Sequence, residues 1–146
     1  GDRWECSYVE LGMPGLPHAV VPIPGLAEKT MDEMRELGKT LRYHSAFPKG
    51  ANVNFYDITA PDKLTLLTYE RGVEDFTFAC GTGTGSTVLV LTLMGKVSGR
   101  EVEVKNPGGT LRVSVDCDGE RIENLWLTGP TNLVCEGEIL DEDLKL

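Results

Sequence analysis

The residues of this sequence that are best suited to chemistry lie in a glycine-rich turn at 80–83, just before an apolar segment. A glycine-rich turn that begins a helix brings free backbone N–H groups together, and the helix N-terminus carries partial positive charge. Such a place binds a carboxylate or a phosphate, and the same field favours the thiolate form of a cysteine at the first position. We therefore expect a reactive Cys80 beside an anion-binding site.

The other cysteines have no such setting. Cys6 alternates with aromatic residues in a predicted strand, while Cys117 and Cys135 lie among apolar neighbours, so we expect all three to be packing residues. No pair of the four cysteines has a zinc spacing, and the two histidines, His18 and His44, stand apart. The sequence therefore predicts no metal site and four free thiols in a reducing cytoplasm.

Two stretches around the turn, residues 69–72 and 79–83, resemble the signature of the diaminopimelate epimerase family. Residues 17–20, 51–55 and 127–130 also resemble segments of this family, and they occur in the same order along the chain. The resemblance spans nearly the whole chain and matches the C-terminal half of the family. It implies a fold of two similar domains, in each of which strands wrap as a barrel or half-barrel around a central helix.

The resemblance also implies a reaction, the cofactor-independent epimerisation of LL- to meso-diaminopimelate in lysine and cell-wall precursor biosynthesis. Two cysteines face the α-carbon from opposite sides, and one removes a proton as a thiolate while the other returns a proton as a thiol. Cys80 matches the C-terminal cysteine. We expect the second cysteine in an N-terminal domain that this sequence lacks, so the chain by itself should not racemise amino acids.

The family's site residues are carried over one by one. His18 and Glu70 join Cys80 in the catalytic set, and His18 is expected to lie near the thiol and help set its protonation. On the residues alone, a histidine on an apolar strand such as His18 is more often a core residue. The substrate-binding set comprises Asn52, Glu70, Arg71, Gly81 and Thr82.

Each member of the binding set has its own implied role. Gly81 and Thr82 would bind the reacting α-carboxylate through backbone N–H groups. Arg71 would pair with the distal carboxylate, for which a planar guanidinium is well suited. Asn52 and Glu70 would bind the distal amino-acid group. Without the resemblance, Arg71 could equally form a surface ion pair and Asn52 could be a turn residue.

The sequence departs from the family pattern in two places. Leu16 stands where the family usually has an asparagine that helps hold the distal end of the substrate. Residues 73–78 form a longer connection than usual between the two signature stretches. Racemisation chemistry is therefore better supported than diaminopimelate as the substrate, and another polar amino acid is the alternative.

Three other functions fit parts of the sequence. A dinucleotide-binding turn would need glycine at position 86, which is Ser86, and βαβ units after it. A Cys–His hydrolase could use Cys80 with His18, although the local protease signatures are missing. A non-catalytic carboxylate-binding module would keep the turn without the reaction.

The secondary elements predicted around these residues define an α+β fold in a single domain, 1–146. The central helix is expected to start at or just after Cys80, because the segment that follows is apolar on every side and must be buried. Thr30 and Glu33 form a capping-box pattern at the start of an amphipathic outer helix that extends to Leu41. Strands are predicted at 4–11, 18–23, 52–59, 63–69, 101–105, 110–116, 121–127 and 132–138.

Composition excludes several classes of protein. The net charge is −9 and the sequence pI is near 4.7, so nucleic-acid binding is not expected. No apolar run approaches the roughly 20 residues needed to span a membrane. The expected partners are an amino-acid substrate and the missing N-terminal domain, with a homodimer as a further expected assembly.

Overall fold

The computed structural model describes residues 3–119, 121–138 and 140. This part of the chain contains two α-helices, one short 3-10 helix at Leu26–Glu28 and eight strands. The helices are α1 (Met31–Arg42) and α2 (Gly81–Leu93). The strands are β1 (Ser7–Leu11), β2 (Leu16–Pro22), β3 (Asn52–Ala60), β4 (Lys63–Glu70), β5 (Asp75–Phe76), β6 (Val102–Asn106), β7 (Gly109–Asp118) and β8 (Arg121–Thr128).

The eight strands form one mixed sheet in the order β1-β2-β3-β4-β6-β7-β8, with β5 added to β4. The β2–β3 and β4–β6 pairs are parallel, and the other pairs are antiparallel. Helix α2 packs against strands from both ends of this order, β1, β2 and β3 on one side and β7 and β8 on the other. The sheet is therefore curved around α2 as a half-barrel, which confirms the predicted fold class.

Helix α2 is the centre of the larger core. Its residues from Gly83 to Leu91 are all buried, because they carry apolar or small side chains on every face. Val88 and Leu91 pack there with Leu64, Leu66 and Val113 from the sheet. The segment is helical throughout 81–93, as predicted, although its β-branched residues favour a strand by propensity.

Helix α1 lies on the outside of the sheet and forms a second core. The Thr30 side chain accepts a hydrogen bond from the Glu33 N–H, and the Glu33 carboxylate accepts one from the Thr30 N–H, which confirms the predicted capping box. Met34 and Leu41 are buried on the inner face of α1. Gly38 allows close packing, because a Cβ there would lie 2.7 Å from the Tyr69 ring.

Two predicted strands differ most from those observed. β1 begins at Ser7 instead of at residue 4, because a continued register would place residue 5 opposite Pro22, which has no N–H to donate. Residues 132–138 form no strand. Pro130 interrupts the chain after β8, and the side chains of Leu133 and Val134 are both exposed, so this segment has no alternation that would bury one face.

Neither helix of the described residues is long and apolar enough to cross a membrane. The antiparallel β6–β7–β8 segment follows α2 where a dinucleotide-binding fold would repeat βαβ units. The topology therefore removes the dinucleotide-binding alternative.

Candidate functional site

The Cys80 thiol is part of the first turn of α2. Cys80 is the N-cap residue, and its Sγ atom accepts a hydrogen bond from the Gly83 N–H at 3.3 Å. The Thr82 hydroxyl lies 3.5 Å from the same sulfur. The sulfur thus occupies the position that a serine or aspartate oxygen takes in an ordinary helix cap.

Burial controls the ionisation of this thiol. Cys80 is only 9% exposed, and its pKa is raised from the ordinary value mainly because burial disfavours the charged form. The hydrogen bonds from Thr82 and Gly83 lower the pKa, whereas the neighbouring carboxylate of Glu70 raises it further. Burial therefore opposes the expected stabilisation of the thiolate at the helix N-terminus, and the pKa of Cys80 is raised instead of lowered.

The expectation for the other three cysteines is wrong. Cys6, Cys117 and Cys135 are exposed, and none of the four forms a disulfide. Cys117 lies beside the irregularity between β7 and β8, near the end of that strand pair, and Cys135 follows the last strand. Cys117 lies beyond Val113, where the pairing of β7 with β6 ends, and Cys135 lies in no strand, so the sheet covers neither thiol.

This arrangement predicts the order in which the four thiols react. In the folded chain at neutral pH, iodoacetamide should modify the exposed Cys117 and Cys135 before Cys80, and Cys80 should be modified faster as the pH rises, because more thiolate forms. Peptide mass mapping after short exposures measures the order. Labelling of Cys80 before the exposed thiols would show that its pKa is lowered and not raised.

Two backbone donors are available beside Cys80. The N–H groups of Gly81 and Thr82 belong to the first turn of α2, where no preceding helical carbonyl can accept from them. Neither has a hydrogen-bond acceptor within the described residues. Gly81 is exposed and Thr82 is half-buried, so an anion can reach both groups.

Arg71 and Asn52 are linked at the ends of β3 and β4. The Asn52 side-chain oxygen accepts a hydrogen bond from the Arg71 backbone N–H at 2.7 Å. The Arg71 guanidinium donates to the Lys49 carbonyl at 2.8 Å and forms no ion pair with any carboxylate in the described part of the chain. The surface ion-pair alternative for Arg71 is therefore not observed, and the guanidinium keeps donors for a ligand.

Glu70 lies near enough to the Cys80 thiol to influence its pKa. It is half-buried at the end of β4, accepts a hydrogen bond from the Thr77 hydroxyl, and acts through its charge on the pKa of Cys80. Thr77 belongs to the long connection between the two signature stretches. This connection forms β5 and is attached to α1 by ion pairs from Arg42 to Glu74 at 2.9 Å and from Arg35 to Asp75.

His18 is fully buried on β2, next to β3 in parallel register. Burial and the positive charge of Arg71 lower its pKa to about 4, so it is neutral at physiological pH. Its Nδ1 lies 3.1 Å from the Asn54 side-chain nitrogen, and it makes no hydrogen bond with Cys80. His18 is connected to the thiol only through Asn54, which contacts His18 and lies, like Cys80, against Gly83.

Sequence reasoning missed Asn54 and Thr68. Asn54 is buried near the start of β3 between the apolar Val53 and Phe55, and Thr68 donates to its side-chain oxygen at 3.0 Å. An asparagine in a strand that is otherwise apolar was the available signal, because asparagine is disfavoured in strands and costs free energy when buried without partners.

Two residues singled out in the sequence lie outside this cluster. His44 is exposed just after α1, and its Nδ1 accepts a hydrogen bond from the Ala46 N–H at 3.1 Å. Leu16 begins β2 with its side chain 40% exposed, two residues before His18. Leu16 therefore presents an apolar surface near the site where the family pattern has a polar one.

Comparisons with known sequences all match the same family of proteins. A family model for diaminopimelate epimerase matches residues 11–134. The chain is 41% identical over 137 residues to diaminopimelate epimerase of Chlorobaculum tepidum, covering 93% of this chain and 50% of that protein. It is 39% identical over 132 residues to the Aquifex aeolicus enzyme, covering 90% and 46%. The chain thus spans about half the length of these relatives.

Solved structures share the fold at low sequence identity. A probable proline racemase from Agrobacterium radiobacter K84 superimposes with a TM-score of 0.58 at 18% identity, covering 86% of this chain and 41% of that one. A hydroxyproline epimerase from Agrobacterium vitis gives 0.57 at 13% identity with the same two coverages. These likenesses support the half-barrel around a central helix.

Proposed function

The chain belongs to the diaminopimelate epimerase family, and we propose that it is the C-terminal half of a cytoplasmic, cofactor-independent enzyme that epimerises LL- to meso-diaminopimelate. The observation that carries the proposal is the first turn of α2. There a buried cysteine caps the helix directly beside the N–H groups of Gly81 and Thr82, which have no acceptor in the described part of the chain. A carboxylate bound to these groups would have its α-carbon close to the Cys80 sulfur.

In the proposed reaction, each proton moves between carbon and sulfur. The second cysteine, contributed by an N-terminal domain, removes the α-proton as a thiolate and becomes a thiol. The Cys80 S–H bond breaks as its proton forms the new C–H bond on the opposite face, which leaves Cys80 as a thiolate. The raised pKa of Cys80 suits this step, because the thiol is the form that returns a proton.

The residues around the turn would hold the rest of the substrate. Arg71 forms no ion pair among the residues that the structure describes, so its guanidinium would suit the distal carboxylate. Asn52, fixed by its hydrogen bond to the Arg71 backbone, would lie beside the distal amino-acid group with Glu70. The half-buried Glu70 carboxylate carries the charge that attracts an ammonium group. A site that contains the positive charge of Arg71 and the negative charge of Glu70 favours a substrate with a zwitterionic distal group over a substrate with an apolar distal group.

The proposal is tested by comparing the 146-residue chain with the full-length protein. The full-length protein should convert LL-diaminopimelate to the meso form, measured by chiral chromatography, whereas this chain alone should show no enzymatic rate because the opposing cysteine is missing. Rapid epimerisation by the chain alone, lost on Cys80→Ala, would contradict the two-domain mechanism. A full-length protein that binds carboxylates without turnover would instead support the non-catalytic module.

The second candidate function is racemisation of another polar amino acid. The presence of Leu16 favours this candidate. An apolar side chain at this position removes a hydrogen bond from the distal pocket, and a pocket that lacks a polar contact discriminates less for its ligand. In the full-length enzyme, Leu16→Asn should improve kcat/KM for diaminopimelate about tenfold, the size expected for one hydrogen bond. A substrate panel measures both variants, and unchanged preference would show that Leu16 does not line the distal pocket.

A further inference from the structure

A backbone hydrogen bond anchors the chain just before Cys80. Residues 77–80 form no helix or strand, and the Phe78 side chain is 76% exposed, so packing of that side chain does not hold the segment. The Phe78 carbonyl oxygen accepts a hydrogen bond from the Gly108 N–H at 2.7 Å. Gly108 belongs to the tight turn that joins β6 to β7. This turn therefore fixes the backbone two residues before the thiol.

The β6–β7 turn approaches Phe78 so closely that only glycine fits at position 108. A Cβ atom on Gly108 would lie 3.0 Å from both the carbonyl oxygen and the Cβ atom of Phe78, and 3.3 Å from its carbonyl carbon. The φ angle of Gly108 is not in the left-handed region, so the glycine is needed for space and not for its conformation. Two of the three contacted atoms are backbone atoms, so a side chain at 108 would displace the chain itself.

The same turn contacts α2 on the other side of Cys80. Asn106, the last residue of β6, is buried, and its side-chain nitrogen donates to the Val104 carbonyl at 3.3 Å. Its side-chain oxygen lies 3.5 Å from the hydroxyl of the fully buried Thr84, which is a longer and weaker contact. The Thr84 N–H donates to the Cys80 carbonyl at 2.8 Å. One turn of the sheet thus reaches the chain both before and after the thiol.

We propose that the β6–β7 turn positions the first turn of α2, mainly through Gly108 and secondarily through Asn106. This inference deepens the proposed function and rests on it. The Cys80 sulfur and the two N–H groups that would bind the substrate carboxylate belong to the same helical turn, so a displacement of the preceding chain moves all three together. A misplacement of reacting groups by about 1 Å can cost about 10²-fold in rate, so a turn outside the binding set can control the reaction.

Gly108→Ala in the full-length enzyme tests the proposal. The added methyl group must displace Phe78, so kcat/KM for LL-diaminopimelate should fall by about 10–100-fold. KM should rise, because the N–H groups that would bind the carboxylate move as well. A purely structural defect would lower the folded fraction, and with it the apparent kcat, without a change in KM. A KM equal to that of the wild type would therefore overturn the positioning role.

Gly95→Ala is the matched control at the other end of α2. Gly95 has a φ of 67°, and a Cβ atom there would meet no atom within 4 Å, so alanine is strained only by its backbone conformation. This variant destabilises the chain without touching the first turn of the helix. Its KM should match that of the wild type. Equal rises of KM in Gly95→Ala and Gly108→Ala would show that general destabilisation, and not the contact with Phe78, is responsible.

Thr84→Val tests the contact on the helix side. Valine has the shape of threonine without the hydroxyl, so it breaks the contact with Asn106 and adds no atoms to the core. The kcat/KM should fall by at most about tenfold, the size of one hydrogen bond, and Thr84→Ser should recover most of the loss because it keeps the hydroxyl. Equal values for the valine and serine variants would overturn the role of Asn106. This pair also decides the question if Gly108→Ala does not fold.

Alkylation of Cys80 in the 146-residue chain separates this inference from the proposed function. A displaced first turn admits water to the sulfur and relieves the burial that opposes the thiolate. Iodoacetamide should then modify Cys80 in Gly108→Ala about tenfold faster than in the wild type, the effect of a pKa lower by about one unit. Cys80 in Gly95→Ala and the exposed Cys117 in both variants should react at their wild-type rates.

A Cys80 rate in folded Gly108→Ala equal to that in the wild type would overturn the positioning role, whatever the full-length protein catalyses. An inactive wild-type full-length enzyme would refute the proposed function, whereas faster alkylation of Cys80 in Gly108→Ala alone would still support the mechanical link between the β6–β7 turn and the thiol.

Discussion

Replacement of Cys80 by serine should lower kcat of the full-length enzyme by about 10²–10⁴-fold, the range expected when a positioned acid or base is lost. Serine keeps an oxygen at the N-cap that can accept from the Gly83 N–H, so the helix cap and the fold should remain. Its hydroxyl is a much weaker acid than a thiol and cannot supply the proton. Chiral analysis of product formation measures the loss, and circular dichroism checks the fold.

The matched control for this experiment is Cys117→Ser. Cys117 is exposed near the end of the β7–β8 pair and is not one of the candidate site residues, so its replacement should leave kcat unchanged. The KM of Cys80→Ser should stay within a few-fold of the wild-type KM, because the N–H groups of Gly81 and Thr82 that would bind the substrate carboxylate remain. Activity of Cys80→Ser equal to that of the control would remove Cys80 from the proposed mechanism.

Gly83→Ala is expected to destabilise the chain by about 1–3 kcal/mol, the usual cost of forcing additional atoms into a packed core. The new Cβ would lie 2.3 Å from Asn54 Oδ1, and Asn54 cannot move freely because its amide is held by His18, Ala19 and Thr68. The gain in helix propensity from glycine to alanine, about 1 kcal/mol, only partly offsets this clash. Urea denaturation of both chains measures the difference.

Gly85→Ala provides the control in the same helix. A Cβ at Gly85 would meet mainly the methyl groups of Leu125, at 3.1 and 3.4 Å, and the end of a leucine side chain can adjust. The same propensity gain applies there, so the free energy of unfolding should change by less than about 1 kcal/mol. Equal effects of the two substitutions would show that the polar network around Gly83 is more adaptable than its hydrogen bonds indicate.

The central helix could be predicted because its evidence is local. The glycine-rich turn marks its start, and a segment that is apolar on every face can be stable only when it is buried. The capping box at Thr30 and Glu33 is equally local, since its partners are three residues apart. The order of the strands along the chain could also be predicted from local patterns. The residues at which the strands end could not, because strand ends depend on pairing partners that the sequence does not reveal.

The ionisation of Cys80 could not be predicted in the same way. The helix field on the thiol can be inferred from the turn alone, but the opposing desolvation depends on how completely the sheet covers α2. The exposed positions of Cys117 and Cys135 likewise depend on where the sheet ends. Apolar neighbours in a sequence indicate burial only if another layer packs on the same face.

The sequence by itself determined the chemical groups of the candidate site: a thiol at a helix N-terminus, a glycine-rich turn, and the adjacent Glu70 and Arg71. Those properties depend on residue type and on short spacing. Only the tertiary structure decided the buried hydrogen bonds of the site, because His18, Asn54 and Thr68 come from three neighbouring strands and meet through long-range contacts. Charge and proton positions respond to burial and to partners distant in the chain, and these exist only once the sheet has closed around α2.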